Sequence, residues 1–200
     1  MAIKAVIFDM GGVLVRTEDR APRSRAAERL GMTYEQLANL VFGSPSAQQA
    51  TIGLISDEQH WENLRQALEL TPQELSRMKE DFWGGDFLDK SLAGYIQSLR
   101  PRYKTALLSN AWPDLRQKIY REWKLADAFD ELIISSEVGL SKPDPRIFRL
   151  ALERLQVNAA EAVFVDDFIE NITSAQAEGL QTILFRSASQ ARQDLSSLLD

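Results

Sequence analysis

Short apolar runs recur along this chain, and most of them end on a polar side chain. The first consists of Ala5, Val6, Ile7 and Phe8, and Asp9 follows it directly. A short apolar run that stops at a polar residue is typical of a buried strand. Further runs of this kind lie at residues 103–108, 131–134, 162–165 and 182–185. The pattern therefore predicts five strands.

Helix signals fill the intervals between the later strands. Asp144 and Pro145 are a typical helix start, and Gly179 is a typical helix end. Helices are predicted near residues 92–99, 113–124, 145–155 and 170–178, and from residue 189 onward. Strands that alternate with helices of this length indicate βαβ units and a parallel, doubly wound sheet. The predicted fold class is α/β.

Residues 16–90 show a different pattern, with helix starts and no convincing strand. Thr33 and Thr71 each stand three residues before a Gln or Glu, as in a capping box, and Ser56 begins another helix. We predict that residues 16–90 form an all-helical cap domain over the carboxyl end of the first strand. Residues 1–15 and 91–200 then form the core domain.

Composition narrows the possible functions. A length of 200 residues suits one α/β domain with an insertion, and a net charge of −6 argues against nucleic acid or an anionic membrane as a partner. The chain has no cysteine and one histidine, which excludes thiol chemistry and disfavours a Ser-His-Asp triad. Met1 leads straight into the first strand and leaves no room for a signal peptide, so a cytoplasmic location is expected.

Polar clusters follow four of the apolar segments. They are Asp9, Ser109 with Asn110, Lys142, and Asp166 with Asp167. Because the carboxyl ends of parallel strands meet at one edge of a sheet, these clusters are expected to share a pocket. Carboxylates, one ammonium group and neutral donors suit a phosphate ester held with Mg²⁺. A carboxylate can attack phosphorus when a cation and a lysine offset the charge repulsion.

These clusters, in this order, resemble the four motifs of the haloacid dehalogenase-like (HAD) hydrolase superfamily. The motifs correspond to residues 8–14, 108–110, 141–144 and 164–167, with Asn171 beyond the last. The resemblance covers essentially the full length, including the helical segment. It implies a Rossmann-like three-layer core with strand order 5-4-1-2-3 and a small helical cap. The Gly-Gly first motif resembles a branch that includes sugar-phosphate phosphatases.

The resemblance also implies a role for each of these residues. Asp9 would be the nucleophile and a Mg²⁺ ligand, together with the backbone carbonyl of Gly11 and the side chain of Asp166. Asp167 would bind the metal through water or orient Lys142. Ser109 and the amide of Asn110 would hold phosphate oxygens, with Gly11 beside the substrate, and Lys142 would neutralise the nucleophile and the phosphoryl group.

Gly11 departs from the family pattern, because most phosphatases of the superfamily carry a second Asp at this position as general acid and base. Three interpretations stay open: a phosphatase without that acid or with one from elsewhere, a haloacid dehalogenase, and an inactive binding protein. Replacement acids would be Glu18, Asp19 or His60. The favoured interpretation is a Mg²⁺-dependent phosphatase of small phosphorylated metabolites, as a monomer or homodimer.

Overall fold

Five parallel strands form the central sheet of this computed structural model, which describes residues 2–199. The strands of the chain are β1 Ala5–Phe8, β2 Val15–Thr17, β3 Asp86–Leu88, β4 Lys104–Ser109, β5 Glu131–Ile134, β6 Ala162–Asp166 and β7 Gln181–Leu184. The order across the main sheet is β5-β4-β1-β6-β7. When these five strands are numbered 1 to 5 along the chain and the sheet is read from the β7 edge, the order is the predicted 5-4-1-2-3. The α/β class and the Rossmann-like topology are confirmed.

Helices lie on both faces of this sheet and in the segment between β2 and β3. They are α1 Ala21–Arg29, α2 Tyr34–Gly43, α3 Pro45–Thr51, α4 Asp57–Ala67, α5 Pro72–Trp83, α6 Lys90–Leu99, α7 Leu115–Gln117, α8 Ser135–Val138, α9 Pro145–Leu155, α10 Ile169–Ala177 and α11 Ala188–Leu198. The capping boxes predicted at Thr33 and Thr71 are both present. The predicted helix 113–124 is wrong in detail, because α7 is short and a π-helix follows at Lys118–Glu122. Apolar spacing alone does not separate these two helix types.

Alternating side chains of the strands fill two hydrophobic clusters, one on each face of the sheet. Phe8 and Val165 belong to one cluster, and Ile7 and Phe164 belong to the other. This alternation has a direct consequence for Asp9, which follows Phe8 and so continues on the face of Ile7. The register of the core therefore determines which way the first carboxylate points.

A third hydrophobic cluster lies within the inserted segment. Its buried members come from α1, α2, α4 and α5 and are Ala26, Ala27, Leu37, Val41, Trp61, Leu64, Met78 and Phe82. The inserted helices thus have an apolar core of their own. This core supports a separate cap, and the boundaries at 15/16 and 90/91 stay a prediction.

The inserted segment is not helical throughout, which corrects the expectation of an all-helical cap. β2 and β3 pair as antiparallel strands where the chain enters and leaves the insertion. Each has three residues, too few for an alternating pattern to stand out in the sequence. An ion pair adds a second link between these two ends of the insertion, because the Arg16 guanidinium lies 2.9 Å from Asp89 Oδ2.

Candidate active site

Asp9 lies at the carboxyl end of β1, between the two neighbouring strands. Its N–H donates to the carbonyl of Val165 at 2.9 Å, which extends the β1–β6 pairing by one residue. Its Oδ1 accepts the N–H of Met10 at 2.7 Å. Phe8 pairs with Leu107 and Val165, so Asp9 stands beside Asp166 and one residue short of Ser109. The expected meeting of these strand ends is confirmed.

Among the described residues, only Lys142 has a charged nitrogen that contacts two of these acids. Its Nζ lies 2.8 Å from Asp9 Oδ1 and 2.6 Å from Asp166 Oδ2. The side chain is buried, and the ammonium also lies 5.3 Å from the centre of the Phe164 ring. An ammonium removed from water needs such partners, because an unpaired buried charge is costly. Lys142 is therefore fixed between the two carboxylates.

Asp166 is the most completely bonded acid of the site. Besides Lys142, it accepts the N–H of Phe168 at 2.7 Å and bonds to Asn171 Nδ2, which lies 3.1 Å from each carboxylate oxygen. The residue is fully buried. Several donors around one carboxylate hold its orientation. Asn171 thus supports Asp166 from the first turn of α10.

Asp167 completes a group of carboxylates that fits a cation. One oxygen each of Asp9, Asp166 and Asp167 lies within 4.8 Å of the others. Asp167 Oδ1 is buried and has no hydrogen-bond partner among the described residues. Oxygen donors of this kind are the ligands that Mg²⁺ prefers. Three acids face one lysine, so a divalent cation would balance the remaining charge.

The pKa values of two of these acids reflect their crowding. The pKa of Asp9 is raised to about 7, chiefly by burial; the charge of Lys142 opposes this rise and the charge of Asp166 adds to it. Burial, followed by the charge of Asp166, raises the pKa of Asp167 to about 6. Both shifts have the direction expected for carboxylates that share a confined space. A bound cation would favour their ionised forms.

A tight turn after Asp9 carries the two glycines of the first motif. Gly12 has a φ of +75° and donates to the carbonyl of Val15 at 2.8 Å. A β-carbon at Gly12 would overlap the Asp167 carboxylate, so only glycine allows that acid to approach. Gly11 is exposed, with open space where a β-carbon would stand. Its predicted contacts with metal and substrate stay predictions.

Ser109 and Asn110 follow the neighbouring strand. Ser109 is the last residue of β4 and is buried, whereas Asn110 is exposed. The Asn110 side chain accepts the N–H of Lys142 through Oδ1 and donates through Nδ2 to the carbonyl of Lys142, both at 2.8 Å. The second and third motifs are therefore joined directly. The predicted phosphate contacts of Ser109 and Asn110 stay predictions.

The three proposed replacement acids have other partners. Glu18 is exposed and pairs with Arg16 at 3.2 Å, and the Oδ1 of Asp19 accepts the N–H of Ala21 at 2.9 Å. His60 is buried in the cap, with its Nδ1 2.8 Å from Ser46 Oγ. These contacts lie in the strand pair and the cap rather than at Asp9. They place none of the three in the group around Lys142.

Trp112 links the site to the cap and was missed by the sequence argument. It follows Asn110 by two residues, and its ring centre lies 4.6 Å from that of His60 and 5.8 Å from that of Trp61. Phe42 and Trp83 also contact it, at 6.1 and 6.2 Å. The sequence signal that could have indicated this role is the position of Trp112, two residues after the second motif. The core loop therefore contributes an aromatic side chain to the cap cluster.

Comparison with known families accounts for this arrangement. Residues 3–179 match the haloacid dehalogenase-like hydrolases. The chain belongs to this family. Membership makes it an enzyme of the hydrolase class and confirms the resemblance inferred from the four motifs. It also explains why acids from two strands and a lysine from a distant loop meet at one edge of the sheet.

Characterised relatives of this hydrolase include phosphatases. D-ribitol-5-phosphate phosphatase of Bacteroides thetaiotaomicron is 30% identical over 99% of both chains. Sesquiterpene phosphatase of Aspergillus oryzae is 28% identical over 88% of this chain and 87% of its own. Bifunctional epoxide hydrolase 2 of Sus scrofa is 27% identical over 99% of this chain, which spans only 39% of that longer protein.

Solved structures show the same fold. A HAD family enzyme of B. thetaiotaomicron in complex with magnesium and inorganic phosphate has a TM-score of 0.77 and 23% identity, over 92% of this chain and 95% of its own. L-2-haloacid dehalogenase of Xanthobacter autotrophicus has a TM-score of 0.62 and 26% identity, over 99% of this chain and 84% of its own. The same fold therefore occurs in an enzyme that binds magnesium and phosphate and in a dehalogenase.

No helix within residues 2–199 is both long enough and apolar enough to cross a bilayer. The predicted cytoplasmic location stays a prediction.

Proposed function

We propose that this hydrolase is a Mg²⁺-dependent phosphomonoesterase that acts on a small phosphorylated metabolite through an aspartyl-phosphate on Asp9. The observation that carries the proposal is the group of three carboxylates around a single buried lysine. A dehalogenase that displaces halide from carbon has no need of so many acids. Without a cation, their mutual repulsion would be a cost to folding.

The metal would be held by Asp9, Asp166 and the carbonyl of Gly11, with Asp167 bound through water. When bound, Mg²⁺ would neutralise negative charge on the phosphoryl oxygens. The unpartnered Oδ1 of Asp167 supports this assignment, because a buried oxygen without a donor fits a site for a cation or its water. Asn171 and Phe168 would keep Asp166 in the orientation needed for binding.

Asp9 would attack phosphorus through Oδ2, since Met10 and Lys142 already hold Oδ1. A new bond forms between Asp9 and phosphorus while the ester P–O bond breaks. The leaving oxygen takes a proton and departs as an alcohol. Lys142 would offset the repulsion between carboxylate and phosphate, and Ser109 with the Asn110 amide would hold phosphate oxygens.

Water would complete the reaction. It attacks phosphorus of the aspartyl-phosphate, the bond to Asp9 breaks, and inorganic phosphate leaves with the carboxylate restored. Gly11 offers no acid for the first step and no base for the second. The leaving oxygen would therefore draw its proton from water, so release of the weakly acidic alcohol of a sugar phosphate would be slowed more than release of p-nitrophenol.

Sugar phosphates are the favoured substrate class. The relative that matches the whole chain at 30% identity is named for ribitol 5-phosphate, which supports a polyol or sugar phosphate. The aromatic side chains shared by cap and core, Trp112 and Phe42 among them, would contact the apolar face of such a molecule. The cytoplasm is the expected compartment for a metabolite phosphatase.

Hydrolysis of p-nitrophenyl phosphate with added Mg²⁺ tests the proposal. We expect turnover that stops on chelation, returns with Mg²⁺, and is lost in Asp9→Asn. Glu161→Gln is the matched control, because Glu161 is an acid near the opposite end of β6, where it pairs with Lys4. A panel of sugar and polyol phosphates that includes ribitol 5-phosphate would then identify the substrate.

Other results would select the alternatives. Chloride release from 2-chloropropionate without metal would identify a dehalogenase, and full activity of Asp9→Asn would exclude this carboxylate as the nucleophile. A chain that hydrolyses neither substrate across a broad panel would support the binding-protein interpretation.

A further inference from the structure

Two loops from different strands meet beside the buried lysine. Asn110 follows β4, whereas Lys142 lies beyond β5 and α8 and is 32 residues further along the chain. The side-chain amide of Asn110 bonds both the N–H and the carbonyl of Lys142, each at 2.8 Å. Two bonds to the same residue fix its backbone in position and direction, as a neighbouring strand would.

The position of the Lys142 ammonium depends on this backbone. Nζ must lie within hydrogen-bond distance of both Asp9 and Asp166, and its flexible four-carbon stem does not impose that placement. A displacement of about 1 Å would lengthen both contacts, and misplacement on that scale can cost about 10²-fold in rate. The backbone of Lys142 must therefore be held in a fixed position.

We propose that the Asn110 side chain is a positioning residue that acts through Lys142 and does not itself contact the substrate. The proposal rests on the proposed phosphatase function. It adds to the predicted phosphate contact of the Asn110 backbone amide, which involves a different group. Both polar atoms of the side chain bond to the neighbouring loop.

Ser135, the first residue of α8, provides a matched control because it contacts the loop after β4. Its hydroxyl lies 2.9 Å from the N–H of Ala111 and 3.2 Å from the carbonyl of Ala111, so it holds the residue next to Asn110 at two points. It does not belong to the proposed catalytic group. Ser135→Ala therefore loosens the loop after β4 without removing a bond to Lys142.

A double-mutant cycle with Lys142→Ala distinguishes loss of Lys142 positioning from general loosening of the loop. The rate of a single turnover of p-nitrophenyl phosphate with Mg²⁺ is measured for each variant. Asn110→Ala should slow the reaction by about 10–100-fold when Lys142 is present and cause no further loss in Lys142→Ala. Ser135→Ala should have the same, smaller effect in both backgrounds. An equal loss for Asn110→Ala in both backgrounds would overturn the proposal. Asn110→Ser, which is too short to reach both atoms, repeats the test if Asn110→Ala folds poorly.

Labelling of Lys142 gives a readout that does not depend on activity. Acetic anhydride followed by mass spectrometry measures the access of reagent to the amine. We expect Asn110→Ala to raise the labelling rate of Lys142 several-fold, and Ser135→Ala to leave it near the wild-type rate. Unchanged labelling in Asn110→Ala would contradict the proposal. Failure of the phosphatase proposal would be distinct, because wild-type protein would then hydrolyse no phosphate ester.

Discussion

The Asp167 carboxylate packs directly against the Cα of Gly12, where a β-carbon would overlap it. Gly12 also has a φ of +75°, which side chains rarely tolerate. One glycine thus permits both the turn after Asp9 and the approach of the fourth motif. Asp9 and Asp167 can therefore lie close together because Gly12 has no side chain between them.

Replacement of Gly12 should therefore be far more damaging than replacement of Gly11. Gly12→Ala is expected to lower the free energy of unfolding by about 1–3 kcal/mol and to displace Asp167, with loss of phosphatase activity. Gly11→Ala meets open space and should change stability by about 0.5 kcal/mol or less. Urea unfolding of the two variants checks this, and equal losses would contradict it.

An acid at Gly11 should be accommodated and should change the substrate preference. We expect Gly11→Asp to retain activity and to increase turnover of alkyl phosphates more than that of p-nitrophenyl phosphate, because poor leaving groups gain most from a proton donor. Gly11→Asn has the same size without the acid and should show no such gain. Complete loss of activity in both variants would show that the pocket needs glycine there for space.

Relief of charge crowding should be visible in the metal-free protein. Asp167→Asn removes one acid from the group and should raise the unfolding free energy at pH 7.5 by only about 1 kcal/mol, because solvent partly screens this half-buried carboxylate. Mg²⁺ should stabilise wild-type protein through binding to the folded state, and the variant should gain less. Thermal unfolding with chelator or Mg²⁺ measures both, and an equal Mg²⁺ shift would exclude a role for Asp167.

His60 should make stability depend on pH. Burial lowers the pKa of His60, so near the ordinary value of about 6.5 the unfolded chain binds a proton more readily than the folded chain does. Stability from this source is present above that value and falls as the pH decreases below it. Asp9 and Asp167 have raised pKa values and contribute with the opposite sign.

Comparison with His60→Asn isolates the histidine, because the carboxylates are common to both proteins. Between pH 7.5 and 5.5, wild-type protein should lose more unfolding free energy than the variant, by up to about 1 kcal/mol. Chemical denaturation at both pH values provides the measurement. Parallel pH profiles would show that the pKa of His60 is the same in the folded and unfolded chain.

Local sequence patterns predicted the parts of the molecule that depend on neighbours in the chain. The apolar run before Asp9 predicted β1 with the correct bounds, and the capping boxes at Thr33 and Thr71 were correct because their bonds span three residues. The short strands β2 and β3 escaped notice. Each is formed by pairing with a partner about 70 residues away, to which a local pattern is insensitive.

The same division applies to the candidate site. Family motifs in the sequence placed Asp9, Lys142 and Asp166 in one pocket, since the ends of parallel strands must converge. Only the tertiary structure decided that the Asn110 side chain holds the Lys142 backbone and that Trp112 enters the cap cluster. Those contacts depend on how loops distant in sequence pack against each other. The sequence alone therefore determined which reactive side chains the site contains, and packing determined how they are arranged.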